Sequence, residues 1–172
     1  MKIVIPMAGA GSRFASAGYT FPKPLIDVEG VPMIQRVVDN LNHFNADFIF
    51  LVQKEHLEKY NLETLLSTIT NGRADIVVVD ELTEGAACTA LLAKDYINSS
   101  EDLIIANSDQ IMQYSPENFK LLYQMGHSYS QGCSDFIWTF NATNPKWSFA
   151  KVSSYGNITE VAEKNPISNV AT

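Results

Sequence analysis

Apolar positions along this chain alternate between two rhythms. Lys2 to Pro6, Phe48 to Val52, Ile76 to Val79 and Leu103 to Ala106 are short, continuous apolar runs, as expected of strands buried on both faces. Between them, three groups recur at helical spacing: Ile34, Val37, Val38 and Leu41; Leu57, Leu62, Leu65 and Leu66; Ala87, Leu91, Leu92 and Tyr96. The order β-α-β-α-β-α-β implies right-handed crossovers and a doubly wound sheet, whose ligands bind outside the carboxyl ends of its strands. Chemistry is therefore expected just after Pro6, Val52, Val79 and Ala106.

Past Ser115-Pro116, which suits a helix start, Phe119, Leu122, Tyr123 and Met125 predict another short helix ahead of the apolar run Phe136 to Phe140. Ala150 to Ser153 and Ile158 to Ala162 then flank Tyr155-Gly156-Asn157, a turn signal joining an antiparallel pair. The predicted whole is a single α/β domain over residues 1–172, a doubly wound, Rossmann-like three-layer sandwich with a mixed, mostly parallel sheet.

Composition narrows the function. No apolar run reaches the length of a membrane span or a signal-peptide core, so a soluble cytoplasmic protein is expected. Twelve Lys and Arg against nineteen Asp and Glu leave a formal net charge of −7, which disfavours nucleic acid and anionic membranes as partners. An anionic small ligand would need a local cationic pocket. Cys88 and Cys133 are too few for a disulfide framework or a cysteine zinc site and read as buried thiols. His43, His56 and His127 share no metal-ligand spacing and read as structural or surface residues. Trp138 reads as core, and Trp147 as a residue near enough to the 161–166 segment to line a pocket there.

The strongest chemical signal follows the first strand: Pro6-Met7-Ala8-Gly9-Ala10-Gly11-Ser12-Arg13-Phe14, then Phe21-Pro22-Lys23-Pro24-Leu25. Glycines let backbone N–H groups approach phosphate oxygens closely, and Arg13 and Lys23 supply positive charge, which makes an anion cradle. A dinucleotide fold would require a third glycine at position 14 and an acid ending the second strand, whereas the chain has Phe14 and Val52-Gln53. A P-loop would require Gly-Lys-Ser or Gly-Lys-Thr, and Gly11-Ser12-Arg13 is neither.

The loop Gly9-x-Gly11-x-Arg13, with Lys23-Pro24-Leu25 ten positions beyond the arginine, resembles the sugar-phosphate nucleotidyltransferases that make nucleotide sugars. Three further stretches extend the resemblance over nearly the whole chain. Asp80-Glu81-Leu82-Thr83-Glu84-Gly85 looks like the base-reading loop, with its glycine kept but its Gln and Pro replaced. Ile104-Ile105-Ala106-Asn107-Ser108-Asp109 resembles the strand and loop that present a magnesium-binding aspartate. Val161-Ala162-Glu163-Lys164-Asn165-Pro166 looks like the Glu-Lys-Pro segment, with Asn165 inserted.

The resemblance implies transfer of a nucleoside monophosphate from a nucleoside triphosphate to a sugar 1-phosphate or similar small phosphorylated acceptor, with Mg²⁺ as cofactor. It implies that Arg13 and Lys23 are catalytic, that Met7, Ala8, Gly9, Gly11, Ser12, Thr83 and Gly85 bind nucleotide, and that Glu163 and Lys164 bind the acceptor. Asp109 is the implied metal ligand. A second metal aspartate is implied beyond the eight residues that follow Lys164, so the domain is expected to be truncated at its C-terminus. The alternatives are a cytidylyltransferase acting on a non-sugar phosphate, a glycosyltransferase with a similar fold, which would normally show Asp-x-Asp where Asn107 stands, and a nucleotide-binding module without catalysis. Base, acceptor and homo-oligomerisation are left open.

Overall fold

The computed structural model describes residues 1–11, 14, 16, 18–19, 21–129 and 135–172. The chain divides into two units, Met1–Pro116 and Glu117–Thr172, and each is taken by itself.

In the first unit, four parallel strands, β1 (Lys2–Pro6), β4 (Asp47–Gln53), β5 (Ala74–Val79) and β6 (Leu103–Ile105), form a sheet in the order β5-β4-β1-β6. A two-stranded ribbon, β2 (Asp27–Val28) and β3 (Val31–Pro32), precedes helix α1 (Met33–Leu41). Register pairs Ile3 with Phe48, Val4 with Ile49 and Ile5 with Phe50. Successive side chains point to opposite faces, so the apolar runs of β1, β4 and β5 feed two cores, whereas on the edge strand β6 Ile104 packs into one core and Leu103 and Ile105 are exposed, contrary to the expectation of burial on both faces. Ile3, Ile5, Phe48, Phe50 and Val52 meet Ile34, Val37, Val38 and Leu41 of α1 and Leu62 and Leu66 of α3 (Leu62–Ile69) on one face. Val4, Ile49, Leu51 and Val79 meet Ala90 and Ala93 on the other. The four α1 residues are spaced i, i+3, i+4, i+7, and Pro32, with φ −56°, stands at the start of that helix. The parallel sheet with helices on both faces is the architecture the hydrophobic pattern predicts.

Two helices differ from expectation. The second helical stretch breaks into α2 (Lys54–Lys59) and α3, because Asn61 adopts a left-handed conformation, φ 47°, that ends one turn and starts the next. The third becomes α4 (Ala86–Leu91) and α5 (Lys94–Ile97). Its inward face is Thr89, Ala90 and Ala93, while Leu91 is 66% and Leu92 49% exposed. The small residues let two short helices lie close on the sheet, and Thr89 is fixed by bonds to Gly85, so the leucines turn outward. Cys88 is likewise exposed on α4, not a buried thiol; Cys133 lies outside the described residues.

The second unit contains α6 (Pro116–Tyr129) and an antiparallel sheet of β7 (Phe140–Asn141), β10 (Val170–Ala171), β8 (Ser148–Val152) and β9 (Ile158–Glu163), in that order. The antiparallel pair expected from the sequence is present, and its strands are hydrogen-bonded within this second sheet. Ser153 Oγ accepts from the amides of Tyr155 and Asn157 at 3.3 and 3.2 Å, and Gly156, at φ 84°, completes the turn. Of the apolar run at 136–140, only Phe140 is strand. Trp138 is half-buried and stacks on Phe119, with ring centroids 5.2 Å apart. Among the described residues, no helix is long and apolar enough to cross a membrane.

Phe50 is fully buried and stacks on Phe48, so Phe50→Ala should cost about 3–5 kcal/mol of unfolding free energy. Leu91→Ala should change it by under ~0.5 kcal/mol. Denaturant midpoints of the two variants check both, and a large loss at Leu91 would contradict the orientation of α4.

Candidate active site

In the order β5-β4-β1-β6, chain direction of assembly reverses between β1 and β6, and at such a switch point the loops leaving the strands diverge to open a crevice. The glycine loop leaves β1 and the Asp109 loop leaves β6 at this place.

Met7 and Ala8 are 5% and 4% exposed, and the Met7 amide donates to Leu51 O at 3.0 Å, which carries the sheet pairing one step past β1. Gly9 and Ala10 then emerge into solvent. Gly11 has φ +60°, a conformation that favours glycine, and its carbonyl accepts from the Phe14 amide at 2.9 Å. A Cβ at Gly9 or Gly85 would meet no atom within 4 Å. The space before both backbones is open, as close approach by a ligand requires. Ser12 and Arg13 lie outside the described residues.

Lys23 opens a 3-10 turn, Lys23–Leu25, stiffened by Pro22 and by the buried Pro24. Its ammonium forms an ion pair with Asp109 and lies 5.3 Å from the centre of the Phe14 ring. Two residues 86 positions apart, each assigned separately from sequence, thus meet at the crevice. Both side chains are about a third exposed, 30% and 32%, so each can exchange its partner for a ligand.

The Asp109 loop is anchored at both ends. The Ala106 amide donates to Val4 O at 2.9 Å. Beyond Asp109, the side-chain amide of Asn40 on α1 donates to Met112 O and accepts from the Met112 amide, both at 3.0 Å, copying a backbone pair. Tyr114 Oη donates to Asn40 O at 3.3 Å and bonds to the His43 ring. Within the loop, Asn107 Nδ2 donates to Gln110 Oε1 at 2.7 Å.

Thr83 and Gly85 lie at the start of α4. Gly85 O accepts from the Thr83 and Thr89 hydroxyls, each at 3.1 Å, and from the Thr89 amide at 3.0 Å. Asp80 is exposed at the strand end. In the second unit, Lys164 Nζ and Glu163 Oε1 are 2.8 Å apart, and the Lys164 amide donates to Trp147 O at 3.1 Å, so Trp147 does border this segment. The Lys164 hydrogen bond and charge hold the Glu163 carboxyl below the usual carboxylate range. Both side chains are more than half exposed, so water screens the pair and it contributes little to stability.

Asp109 supplies a single carboxylate, and among the described residues no group of three or more His, Cys, Asp or Glu gathers that could hold a metal. That donor set fits a Mg²⁺ ion carried in on phosphate oxygens, which needs only one or two protein carboxylates, rather than a resident metal in a protein cage. Gln53, Asn40 and Tyr114 were not assigned a role from sequence. The one available signal was Gln53, a polar residue ending an apolar strand at the ligand edge of the sheet.

A glycine loop and a lysine-aspartate pair thus meet at the switch point of a parallel sheet with helices on both faces. The chain belongs to the MobA-like NTP transferase domain family, whose model matches residues 3–124. It is 25% identical over 173 aligned residues to the bifunctional protein GlmU of Methanococcus aeolicus, covering 99% of this chain and 38% of that protein. It is 29% identical over 121 residues to mannose-1-phosphate guanylyltransferase 1 of Arabidopsis thaliana, covering 66% and 32%. A solved nucleoside-diphosphate-sugar pyrophosphorylase from Vibrio cholerae superposes with a TM-score of 0.78 at 25% identity, covering 99% of this chain and 70% of that one. The chain thus has nucleotidyltransferases among its relatives, and it spans less than two-fifths of the length of these two curated ones.

Burial pushes the Tyr114 phenol up from 10.0 to about 12. A pKa raised on folding means the neutral phenol is favoured in the folded state. Its contribution is therefore complete below pH 10.0 and fades as pH rises through about 12. Tyr114→Phe, which loses the hydroxyl bonds at a cost of about 1 kcal/mol, should be less stable than wild type at neutral pH, with the gap closing across that alkaline window. Urea midpoints of both proteins measured along the pH range check it, and a gap independent of pH would contradict it.

Proposed function

We propose that the protein is a sugar-phosphate nucleotidyltransferase, moving a nucleoside monophosphate from a nucleoside triphosphate to a sugar 1-phosphate with release of pyrophosphate, in the cytoplasm. The observation that carries this reading is the Lys23–Asp109 ion pair beside the open glycine loop at the switch point. A cation alone would suit many anions. A cation paired with a partly exposed carboxylate suits a ligand that arrives as a polyphosphate with its own metal, because such a ligand offers a new partner to each charge at once.

The transfer needs no protein nucleophile. An acceptor phosphate oxygen, already anionic near neutral pH, attacks the α-phosphorus; the α–β phosphoanhydride bond breaks, and its electron pair leaves with pyrophosphate. No proton need move. The task left to the protein is to hold two mutually repelling anions in line and to stabilise charge on the leaving group. Lys23, released from Asp109, holds the α-phosphate region. Arg13 holds the β- and γ-phosphates, and backbone N–H groups of the glycine loop beyond Met7, whose own amide is bound to Leu51 O, donate to the triphosphate. Thr83 and Gly85 border the base, Lys164 takes the acceptor phosphate, and Glu163 takes sugar hydroxyls. Mg²⁺ held by Asp109 would supply charge neutralisation across the triphosphate. The family membership and the nucleotidyltransferases among the relatives support the reaction class.

A screen for pyrophosphate release, with the four ribonucleoside triphosphates and dTTP against a panel of sugar phosphates and non-sugar phosphates, tests the proposal. One donor with one sugar 1-phosphate should release pyrophosphate. Arg13→Ala and Asp109→Asn should each lower turnover ~10²-fold or more. Lys164→Ala should raise the KM of the acceptor and leave that of the triphosphate nearly unchanged. No release from any pair, or full activity in a folded Asp109→Asn protein, would sink the reading.

A further inference from the structure

At the end of β4, the Gln53 side chain reaches across to the neighbouring strand. Its Nε2 lies 2.7 Å from Ala8 O and 3.3 Å from Gly9 O. Both partners are carbonyls, which only accept, so the amide nitrogen must face them. Its backbone is already placed by register, opposite Val79, and its side chain is half-buried at the sheet edge instead of in a core. The side chain is therefore committed to two successive peptide groups of the glycine loop.

A trans peptide is planar, so the carbonyl of one residue and the N–H of the next point in opposite directions. Drawing Ala8 O and Gly9 O toward β4 turns the N–H groups of Gly9 and Ala10 away from β4. In the order β5-β4-β1-β6, the far side of β1 is the side of β6, whose loop carries Asp109. Among the described residues, neither amide has a protein acceptor, and a Cβ at Gly9 would meet nothing within 4 Å. Two donors thus face the crevice where Lys23 and Asp109 stand.

We propose that Gln53 is a positioning residue for phosphate binding: by holding the Ala8 and Gly9 carbonyls, it aims the Gly9 and Ala10 amides at the triphosphate. This rests on the proposed nucleotidyltransferase function. Gln53 touches no substrate. It acts through the loop, and its effect is confined to the phosphates.

The test is calorimetric titration of the full chain with a nucleoside triphosphate, with pyrophosphate alone and with the parent nucleoside. Gln53→Met keeps the length of the side chain and removes the donor. It should weaken triphosphate and pyrophosphate binding about 3- to 10-fold, the span expected for a neutral hydrogen bond, and leave the nucleoside unchanged. Gln53→Glu sets a carboxylate against two carbonyls near pH ~8, but near pH ~5 a growing share of the protonated acid can donate. Its phosphate affinity, relative to wild type at the same pH, should therefore recover on acidification. A purely structural role would not give that recovery together with unchanged nucleoside binding. If wild type binds triphosphate and both folded variants match it, Gln53 has no positioning role and the proposed function stands. If wild type binds neither triphosphate nor pyrophosphate, both proposals are overturned.

Discussion

A strand buried on both faces has only its ends left for chemistry. Ile3, Val4 and Ile5 are fully buried, hemmed by β4 and β6 at the edges and by the two cores above and below. In a parallel sheet all carboxyl ends lie on one side, so the loops that leave them share one rim. Everything placed at the crevice follows from that restriction: the glycine loop because β1 ends there, Gln53 because β4 does, and Asp109 because β6 does. β1 is the pivot, since its neighbours on either hand supply the residues that hold the loop and the residue that faces it.

The electrostatics of the crevice are set by the same geometry. A chain of net charge −7 must concentrate cations locally to take a polyphosphate. Lys23 and Asp109 balance one another's charge there. Partial exposure of both keeps the pair weak enough to exchange.

Much of this was legible in the sequence because it depends on periodicity. Continuous apolar runs marked the four central strands, and helical spacing marked α1, whose four expected core residues are all buried. Lys23 and Asp109 were legible through motif and strand position. What failed depended on contacts between distant residues. Leu91 and Leu92 carried the apolar signal of their segment, yet Thr89, Ala90 and Ala93 face the sheet, because close approach there selects small side chains and a hydroxyl that can bond Gly85. Cys88, which composition alone places among buried thiols, is exposed. Asn40 sits among apolar residues on α1, and nothing local shows that its amide is matched to Met112, 72 positions away. Gln53 is marked in the sequence as a polar residue ending an apolar strand, but nothing local shows that its amide reaches Ala8 and Gly9, 45 and 44 positions away.

The two anchors of the Asp109 loop have one further consequence. Ala106 and Met112 are both held through backbone groups, by Val4 and by Asn40, so neither bond depends on the side chains that lie between them. Closing a flexible loop becomes only slowly harder as it lengthens, by about 0.6 kcal/mol per doubling. Between these ends, the stretch from Asn107 to Ile111 can vary in length and, outside Asp109, in composition, while its two ends stay nailed to the sheet and to α1. Descendants of this fold could diversify the rim facing the ligand without renegotiating the core beneath it.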